Sequence, residues 1–155
     1  MSLTTVNAKT SAETYFTAQA AAREMAREGS GGRIILTAAV TGLQAVPYLP
    51  AYGMTKSGIQ MLARNLVLEL SPYNITINAV APGSISNERN LQDDPAYDTK
   101  WAGVIPVRRA GTPADIVAAV LFLASDAAGF VHDVTLTADR VVGGIYLLAF
   151  QESLD

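Results

Sequence analysis

Ala51-Tyr52-Gly53-Met54-Thr55-Lys56 forms the centre of residues 32–83, the segment from which both the fold class and the chemistry of this chain follow. Apolar side chains then recur at the three- and four-residue spacing of one helix face, at Ile59, Leu62, Ala63, Leu66 and Leu70. Tyr52 and Lys56 therefore stand one turn apart on a predicted helix over residues 52–70. Because a nearby ammonium favours the phenolate, such a pair is suited to proton transfer near neutral pH.

Two buried strands are predicted on either side of this helix. Residues 33–38 form an apolar run that ends in a turn at Gly42, and residues 75–80 form a second run closed by Pro82 and Gly83. The Tyr-x-x-x-Lys spacing alone is more typical of an ordinary surface pair on a helix. The order of strand, loop, helix, strand and Pro-Gly turn favours the chemical interpretation.

Composition predicts one ordinary globular domain over residues 1–155. Half of the residues are hydrophobic, and 11 basic against 14 acidic side chains give a net charge of −3, which does not favour a nucleic-acid partner. The absence of cysteine excludes disulfides and thiolate metal sites and fits a reducing cytoplasm. Every apolar run is shorter than the roughly 20 residues of a membrane span, and we expect neither a membrane partner nor a secretion signal.

In this order and at these lengths, the sequence from about residue 4 to about residue 139 resembles the short-chain dehydrogenase/reductase family. The resemblance implies an α/β fold with a partial Rossmann-like, doubly wound parallel sheet of about three strands flanked by helices. It also implies NAD(P)-dependent alcohol oxidation or carbonyl reduction, with NAD or NADP as the cofactor and a small-molecule substrate.

The resemblance assigns catalytic roles to three residues. Tyr52 would transfer the proton, and Lys56 would lower the pKa of Tyr52 and hold the nicotinamide ribose. Asn7, within Thr5-Val6-Asn7-Ala8, matches the family asparagine that holds a water on a proton relay. The alternative for Asn7 is a solvated residue near the end of a helix.

The same resemblance assigns the turn after the second strand to the cofactor. Pro82, Gly83 and Ile85 match the family turn that passes over the nicotinamide, where the backbone at the isoleucine meets the carboxamide. Asn87 stands where the family often has a hydroxyl for the pyrophosphate, and its amide can still donate a hydrogen bond. Together with Tyr52 and Lys56, these residues form the expected cofactor contacts.

The chain departs from the family at Ala39, which replaces the serine that hydrogen-bonds the substrate carbonyl. Losing one preorganised donor of this kind typically costs ~10² to 10³ in rate. Thr37 and Thr41 lie two residues to either side and share the side of Ala39 if the backbone is extended. Either hydroxyl could replace the serine; alternatively, Thr37 pairs within the sheet and Thr41 caps a turn.

Further elements are predicted from local signals. A capping box at Thr10 and Glu13 starts a helix over residues 11–28, although the family comparison places the start near Leu3. A cap at Thr112, followed by proline, starts a helix that runs to about residue 125. Residues 130–137 alternate as a strand.

Residues 86–110 are polar and read as a long irregular connection. Such connections are commonly lids, binding loops or disordered segments. The resemblance implies a flexible loop that closes over the substrate.

Apolar side chains lie on more than one side of helix 52–70, at Met61, Val67 and Leu68 as well as on the main stripe. A helix of this kind usually packs against more than its own sheet. The resemblance implies a homo-oligomer formed through helices 11–28 and 52–70. A helix enclosed within its own domain would show the same pattern.

None of the twelve glycines forms the G-x-G-x-x-G turn that binds a pyrophosphate. We therefore expect a truncated member of the family, the C-terminal half without the N-terminal cofactor-binding half, and no independent turnover. The competing hypothesis is a non-catalytic remnant that serves as an assembly module. Ala39 favours the remnant, and the Tyr52/Lys56 pair favours the oxidoreductase.

Overall fold

The computed structural model describes the backbone of residues 6–139 and the side chains of residues 10–139. Helices and strands follow one another as α1 (Val6–Glu28), β1 (Gly32–Thr37), α2 (Pro50–Leu70), β2 (Ile75–Pro82), α3 (Glu88–Asp93), α4 (Tyr97–Val104), α5 (Pro113–Ala124) and β3 (Thr135–Ala138). Short 3-10 turns occupy Val40–Gly42, Ser71–Tyr73 and Asp126–Ala128. None of the helices in this part of the chain is long and apolar enough to cross a membrane.

The three strands form one parallel sheet in the order β1-β2-β3. Gly32 pairs with Ile75 at the start of the first ladder, and Ala79 pairs with Thr135 at the start of the second. The central strand β2 is buried from Ile75 to Ala81, as expected for a parallel strand covered on both faces. The predicted three-stranded parallel α/β sheet is confirmed.

Helices cover both faces of this sheet. Ile34 and Leu36 of β1 join Ala18 of α1 and Ile59 of α2 in the main hydrophobic cluster. Successive side chains of a strand point to opposite faces. Arg33 precedes Ile34 and therefore points to the opposite face. Its side chain donates a hydrogen bond to the carbonyl of Ser125, which directly follows α5. Thus α1 and α2 cover one face, and α5 covers the other.

Several predicted boundaries differ from the structure. The prediction of an irregular segment over residues 86–110 was wrong, because it contains α3 and α4. Trp101 in α4 and Ile105 directly after it, 8% and 3% exposed, anchor α4 to the core. Helix α1 already includes Val6, before the start predicted from local signals, and runs on through the predicted capping box.

Strand β3 begins at Thr135, later than predicted. The buried Asn78 side chain donates to the carbonyl of Val131 and accepts from the amide of Val134, and Asp133 has a positive φ of 63°. The Asn78 side chain thus occupies the Val131 carbonyl and the Val134 amide, and the regular ladder begins at Thr135.

The start of α5 is as predicted. Thr112 and Asp115 form a capping box, in which the Asp115 carboxylate accepts from the Thr112 amide at 2.7 Å. The Arg109 guanidinium also binds this carboxylate at 2.7 Å and holds the pKa of Asp115 well below its usual range. The first turn of α5 is therefore fixed to Arg109, near the end of the 86–110 segment.

Candidate active site

The candidate catalytic pair lies where α2 begins, beside the carboxyl end of β1. The Lys56 Nζ atom donates a hydrogen bond to the Thr37 carbonyl at 2.9 Å and lies 5.6 Å from the centroid of the Tyr52 ring. The structure thus places phenol and amine on the same side of one helix, one turn apart. Carboxyl ends of parallel strands are where ligands bind in open α/β sheets.

The turn that carries Ala39 is packed directly on this helix. Two glycines permit the approach, because a Cβ atom at Gly42 would lie 2.7 Å from the backbone of Lys56 and Ser57, and one at Gly53 would lie 2.9 Å from the Thr41 carbonyl. The Ser57 hydroxyl also donates to the Gly42 carbonyl at 2.7 Å. The turn and the catalytic pair are therefore held in a fixed relation.

Burial dominates the acid–base properties of the pair. It raises the pKa of the Tyr52 phenol and lowers the pKa of the Lys56 amine, since removal from water disfavours both charged forms. The expected downward shift of the Tyr52 pKa was therefore wrong for this structure. Desolvation outweighs the attraction of an amine that is itself partly desolvated and hydrogen-bonded to a carbonyl.

The lowered pKa of Lys56 gives a testable prediction. We expect the NMR signals of the Lys56 side-chain carbons to change with pH at values below the usual range for lysine. The signals are assigned to Lys56 by their absence in Lys56→Met. Because folding lowers this pKa, the free energy of unfolding should rise with pH across the interval between the folded and unfolded pKa values. A Lys56 signal that titrates within the usual lysine range would contradict the prediction.

The chain turns directly after the position of the missing serine. Ala39 is buried in an extended conformation, with φ of −163°, but Val40–Gly42 then turns as a 3-10 helix. The Thr41 hydroxyl is consequently buried without a hydrogen-bond partner, whereas Thr37 is exposed. The condition under which Thr41 would share the side of Ala39 is not met, because the backbone leaves the extended conformation directly after Ala39.

The turn after β2 lies at the same end of the sheet. The Gly83 amide donates to the Ala138 carbonyl at 3.2 Å, and Ile85 forms an isolated parallel bridge with Gly111. Asn87 caps α3 by accepting from the Asn90 amide at 2.9 Å. The side chain expected at the pyrophosphate is thus engaged in capping a helix, and the turn itself is tied to the start of α5.

Asn7 lies in the first turns of α1, but its side chain falls outside the described residues. The predicted role of Asn7 in a water relay stays a prediction.

The sequence alone did not reveal a cavity of about 240 Å³ behind the turn. Its lining combines the apolar Ile85, Ile105 and Val107 with the charged Arg109 and Asp139. Tyr97 fixes the nearby wall through hydrogen bonds to Ser84 and Asn90, and burial raises its pKa. These residues come from segments far apart in the chain, and no local spacing signals them.

Within the described residues, no group of three or more His, Cys, Asp or Glu side chains is placed to hold a metal ion. A family model described as Enoyl-(Acyl carrier protein) reductase matches residues 4–141. The chain belongs to the short-chain dehydrogenase/reductase family. This short-chain dehydrogenase/reductase is also similar to curated relatives and solved structures.

Two curated relatives illustrate the sequence similarity. L-rhamnose 1-dehydrogenase (NAD(P)(+)) of Azotobacter vinelandii is 36% identical over 135 residues, which cover 86% of this chain and 52% of the relative. 2-Dehydro-3-deoxy-D-gluconate 5-dehydrogenase of Escherichia coli is 34% identical over 127 residues, which cover 81% of this chain and 50% of the relative. The chain therefore spans about half the length of the curated relatives it matches.

Solved structures are also similar to this short-chain dehydrogenase/reductase over about half of their length. Acetoin dehydrogenase YohF from Salmonella typhimurium superposes with a TM-score of 0.72 at 31% identity, covering 89% of this chain and 52% of that one. The structure of ElxO with NADP bound superposes with a TM-score of 0.74 at 30% identity, covering 87% of this chain and 54% of that one. The architecture described above is thus that of about half of each neighbour.

Proposed function

We propose that this chain carries the catalytic pair of an NAD(P)-dependent oxidoreductase that reduces a carbonyl group or oxidises an alcohol. The observation that carries the proposal is the placement of Tyr52 and Lys56, one turn apart beside the carboxyl end of β1, with the amine 5.6 Å from the phenol ring. Family membership supports the reaction class.

The residues fit the nicotinamide end of the cofactor. An amine, a phenol and the backbone turn at Pro82, Gly83 and Ile85 lie at the carboxyl ends of adjacent parallel strands, where a dinucleotide binds in this class of fold. When bound, NADPH or NADH supplies the hydride. In this proposal Lys56 holds the nicotinamide ribose, and Asn87 and Asn7 keep their predicted roles at the pyrophosphate and on the water relay.

The proton step follows from the state of Tyr52. Burial raises the pKa of its phenol, so the hydroxyl carries its proton at neutral pH and is suited to act as a general acid. As the carbonyl carbon accepts hydride and the C=O π bond breaks, the carbonyl oxygen takes the Tyr52 proton. The Lys56 amine stabilises the phenolate that remains, and alcohol oxidation uses the same steps in reverse.

A replacement for the missing serine is a further part of the proposal. Exposure favours Thr37, because a substrate can reach its side chain without rearrangement of the chain. The Thr41 hydroxyl is an unpaired buried donor and would need the Val40–Gly42 turn to shift before it could contact a carbonyl.

We further propose that the chain corresponds to the catalytic second half of the family's nucleotide-binding fold. The support is the order of its motifs and the absence of a G-x-G-x-x-G turn among its twelve glycines. The chain alone would then hold one end of the cofactor and lack the glycine-rich cradle for the phosphates.

This leads to a prediction for nucleotide binding. Titration of the purified chain with NADH and NADPH, followed by nucleotide fluorescence, is expected to show no micromolar affinity. Micromolar binding of either nucleotide would show that the site is complete within these residues. The readout does not depend on knowing the substrate.

The substrate class is proposed from the named relatives, which include dehydrogenases of L-rhamnose and acetoin. We propose a small hydroxyl- or carbonyl-bearing molecule as the substrate of this chain. The test is a panel of L-rhamnose and acetoin with NAD⁺ and NADP⁺, supplied with a nucleotide-binding half. Failure with both compounds would contradict a substrate preference shared with these relatives.

The second candidate function is an assembly module. One support is Ala39, whose side chain has no hydrogen-bond donor. The other is the exposure of large apolar side chains on α1 and α2, since Phe16 is 63% exposed and Leu68 is 84% exposed. A homo-oligomer through these helices is compatible with either function. A cytoplasmic setting stays a prediction from the absence of cysteine.

Self-association through α1 and α2 can be measured directly. We expect light scattering to show a dimer or larger species, and we expect Leu68→Asp to weaken it, because a charge would be buried at the interface. Leu121→Asp is the matched control, since Leu121 is 63% exposed on α5, over the other face of the sheet. A monomeric wild-type chain would contradict the oligomer prediction.

A further inference from the structure

The backbone of Ile85 presents both of its hydrogen-bonding groups to one side of the turn after β2. On the other side, the Ser86 amide donates to the Gly111 carbonyl at 2.7 Å, and the Gly111 amide donates to the Ser84 carbonyl at 2.9 Å. These two hydrogen bonds form the isolated parallel bridge between Ile85 and Gly111. Because backbone groups of successive residues point to alternate sides, the Ile85 amide and carbonyl point away from Gly111.

The Ile85 carbonyl is bound by the side chain of a residue in α3. Asn90 Nδ2 donates to this carbonyl at 2.7 Å, at the short end of the range for an N–H···O hydrogen bond. Asn87 Nδ2 lies 3.5 Å from the same residue's carbonyl, beyond that range. The Asn90 side chain ends in a primary carboxamide. The outward side of Ile85 thus binds a carboxamide group in this structure.

The Ile85 backbone is also hydrogen-bonded by Tyr97, the first residue of α4. Burial raises the pKa of the Tyr97 phenol, and hydrogen bonds with the side chains of Ser84 and Asn90 and with the Ile85 backbone oppose this rise. A hydrogen bond that lowers the pKa of a phenol is donated to its oxygen, because it stabilises the phenolate. The backbone donor of Ile85 is its amide. The Tyr97 oxygen therefore accepts from the Ile85 amide.

Asn90 and Tyr97, the Asn90/Tyr97 pair, together present one donor and one acceptor to Ile85. A primary carboxamide carries both in a single group, since its NH₂ group donates and its C=O group accepts. The nicotinamide ring of NAD or NADP carries such a carboxamide. This group therefore matches the two hydrogen bonds that the Asn90/Tyr97 pair already makes with Ile85.

We propose that the Asn90/Tyr97 pair is an internal competitor of the cofactor, and that the nicotinamide carboxamide displaces it from the Ile85 backbone. The inference rests on the proposed function, which places the nicotinamide end of the cofactor at the turn of Pro82, Gly83 and Ile85. Because Asn90 lies in α3 and Tyr97 begins α4, this displacement shifts both helices relative to the turn. The two side chains thus set the affinity for the cofactor without contacting it.

Hydrogen exchange of the 155-residue chain tests the contact with Ile85 in the absence of any nucleotide. The Ile85 amide should exchange about 2- to 10-fold faster in Tyr97→Phe than in the wild type, the range for one net hydrogen bond. The Gly111 amide is the internal control, because it binds the Ser84 carbonyl on the opposite side and should exchange equally in both proteins. Equal exchange of the Ile85 amide in the two proteins would overturn the inference and leave the proposed function standing.

Titration with nicotinamide mononucleotide, followed through the NMR signals of Ile85, tests the competition. This probe carries the carboxamide but not the adenosine half of the cofactor. We expect Asn90→Ala to bind it about 2- to 10-fold more tightly than the wild type, again the range for one net hydrogen bond. Gln92→Ala is the matched control on the same helix, because the Gln92 side chain donates to Glu88, and it should bind as the wild type does.

Nicotinic acid mononucleotide, with a carboxylate in place of the carboxamide, is the control ligand. It has no N–H group to donate to the Ile85 carbonyl, so Asn90→Ala should not improve its binding. An equal gain for both ligands, or no gain for nicotinamide mononucleotide, would overturn the inference alone. Failure of nicotinamide mononucleotide to shift the Ile85 signals in either protein would instead contradict the nicotinamide placement in the proposed function, and the inference with it.

Discussion

Replacing Tyr52 with phenylalanine is expected to lower kcat for carbonyl reduction by about 10²- to 10⁴-fold, the usual contribution of a general acid. The change removes only the hydroxyl, and the ring retains its place beside Lys56 on the first turns of α2. The unfolding transition should therefore stay unchanged. The rate is followed as consumption of NADPH, with the chain supplied with the nucleotide-binding half.

The matched control is Tyr73→Phe, the same substitution just beyond the other end of α2. Tyr73 lies next to the start of β2, at the opposite end of the sheet from the candidate site, so its loss should leave kcat unchanged. Equal rates for Tyr52→Phe and the wild type would remove the phenol from the mechanism. A matching loss in both variants would indicate a general structural effect.

Replacing Gly42 with alanine is expected to lower the free energy of unfolding by about 1–3 kcal/mol, the usual cost of overpacking. The added Cβ would lie 2.7 Å from backbone atoms of Lys56 and Ser57. Backbone atoms inside a helix cannot move aside as the end of a side chain can. The Val40–Gly42 turn must therefore separate from α2, which also displaces Ala39 and Thr41 from the catalytic pair.

Gly58→Ala provides the control for this prediction. Gly58 lies within α2, and a Cβ there meets nothing within 4 Å. Alanine is preferred over glycine inside a helix by roughly 0.5–1 kcal/mol, so this variant should be more stable than the wild type. Urea unfolding measures both variants, and a Gly42→Ala protein as stable as Gly58→Ala would contradict the close packing of turn and helix.

Local patterns were sufficient for the regular elements that carry strong signals. The apolar spacing after Lys56 predicted α2, and the Thr112 cap with its proline predicted α5. Both signals act within a few residues along the chain. Strand β3 was less accurately predicted, because the side chain of Asn78, distant in sequence, binds the Val131 carbonyl and the Val134 amide just before the regular ladder begins.

The 86–110 segment shows why polar composition was misleading. Its helix α4 is held to the core chiefly by the burial of Trp101 and Ile105. One or two anchoring side chains do not change the average composition of a 25-residue window enough to predict order. The cavity beside this segment was not predictable for the same reason, since its lining comes from three separate parts of the chain.

By itself, the sequence determined the fold class, the family and the spacing that puts Tyr52 and Lys56 on one side of a helix. These features depend on residues close together in the chain, whose spacing alone fixes which side chains share a helix face. Only the tertiary structure decided the direction of the Tyr52 pKa shift, the contact between Lys56 and Thr37, and the burial of the Thr41 hydroxyl. Desolvation and hydrogen bonding between distant segments depend on which surfaces meet, and these were not apparent from local spacing.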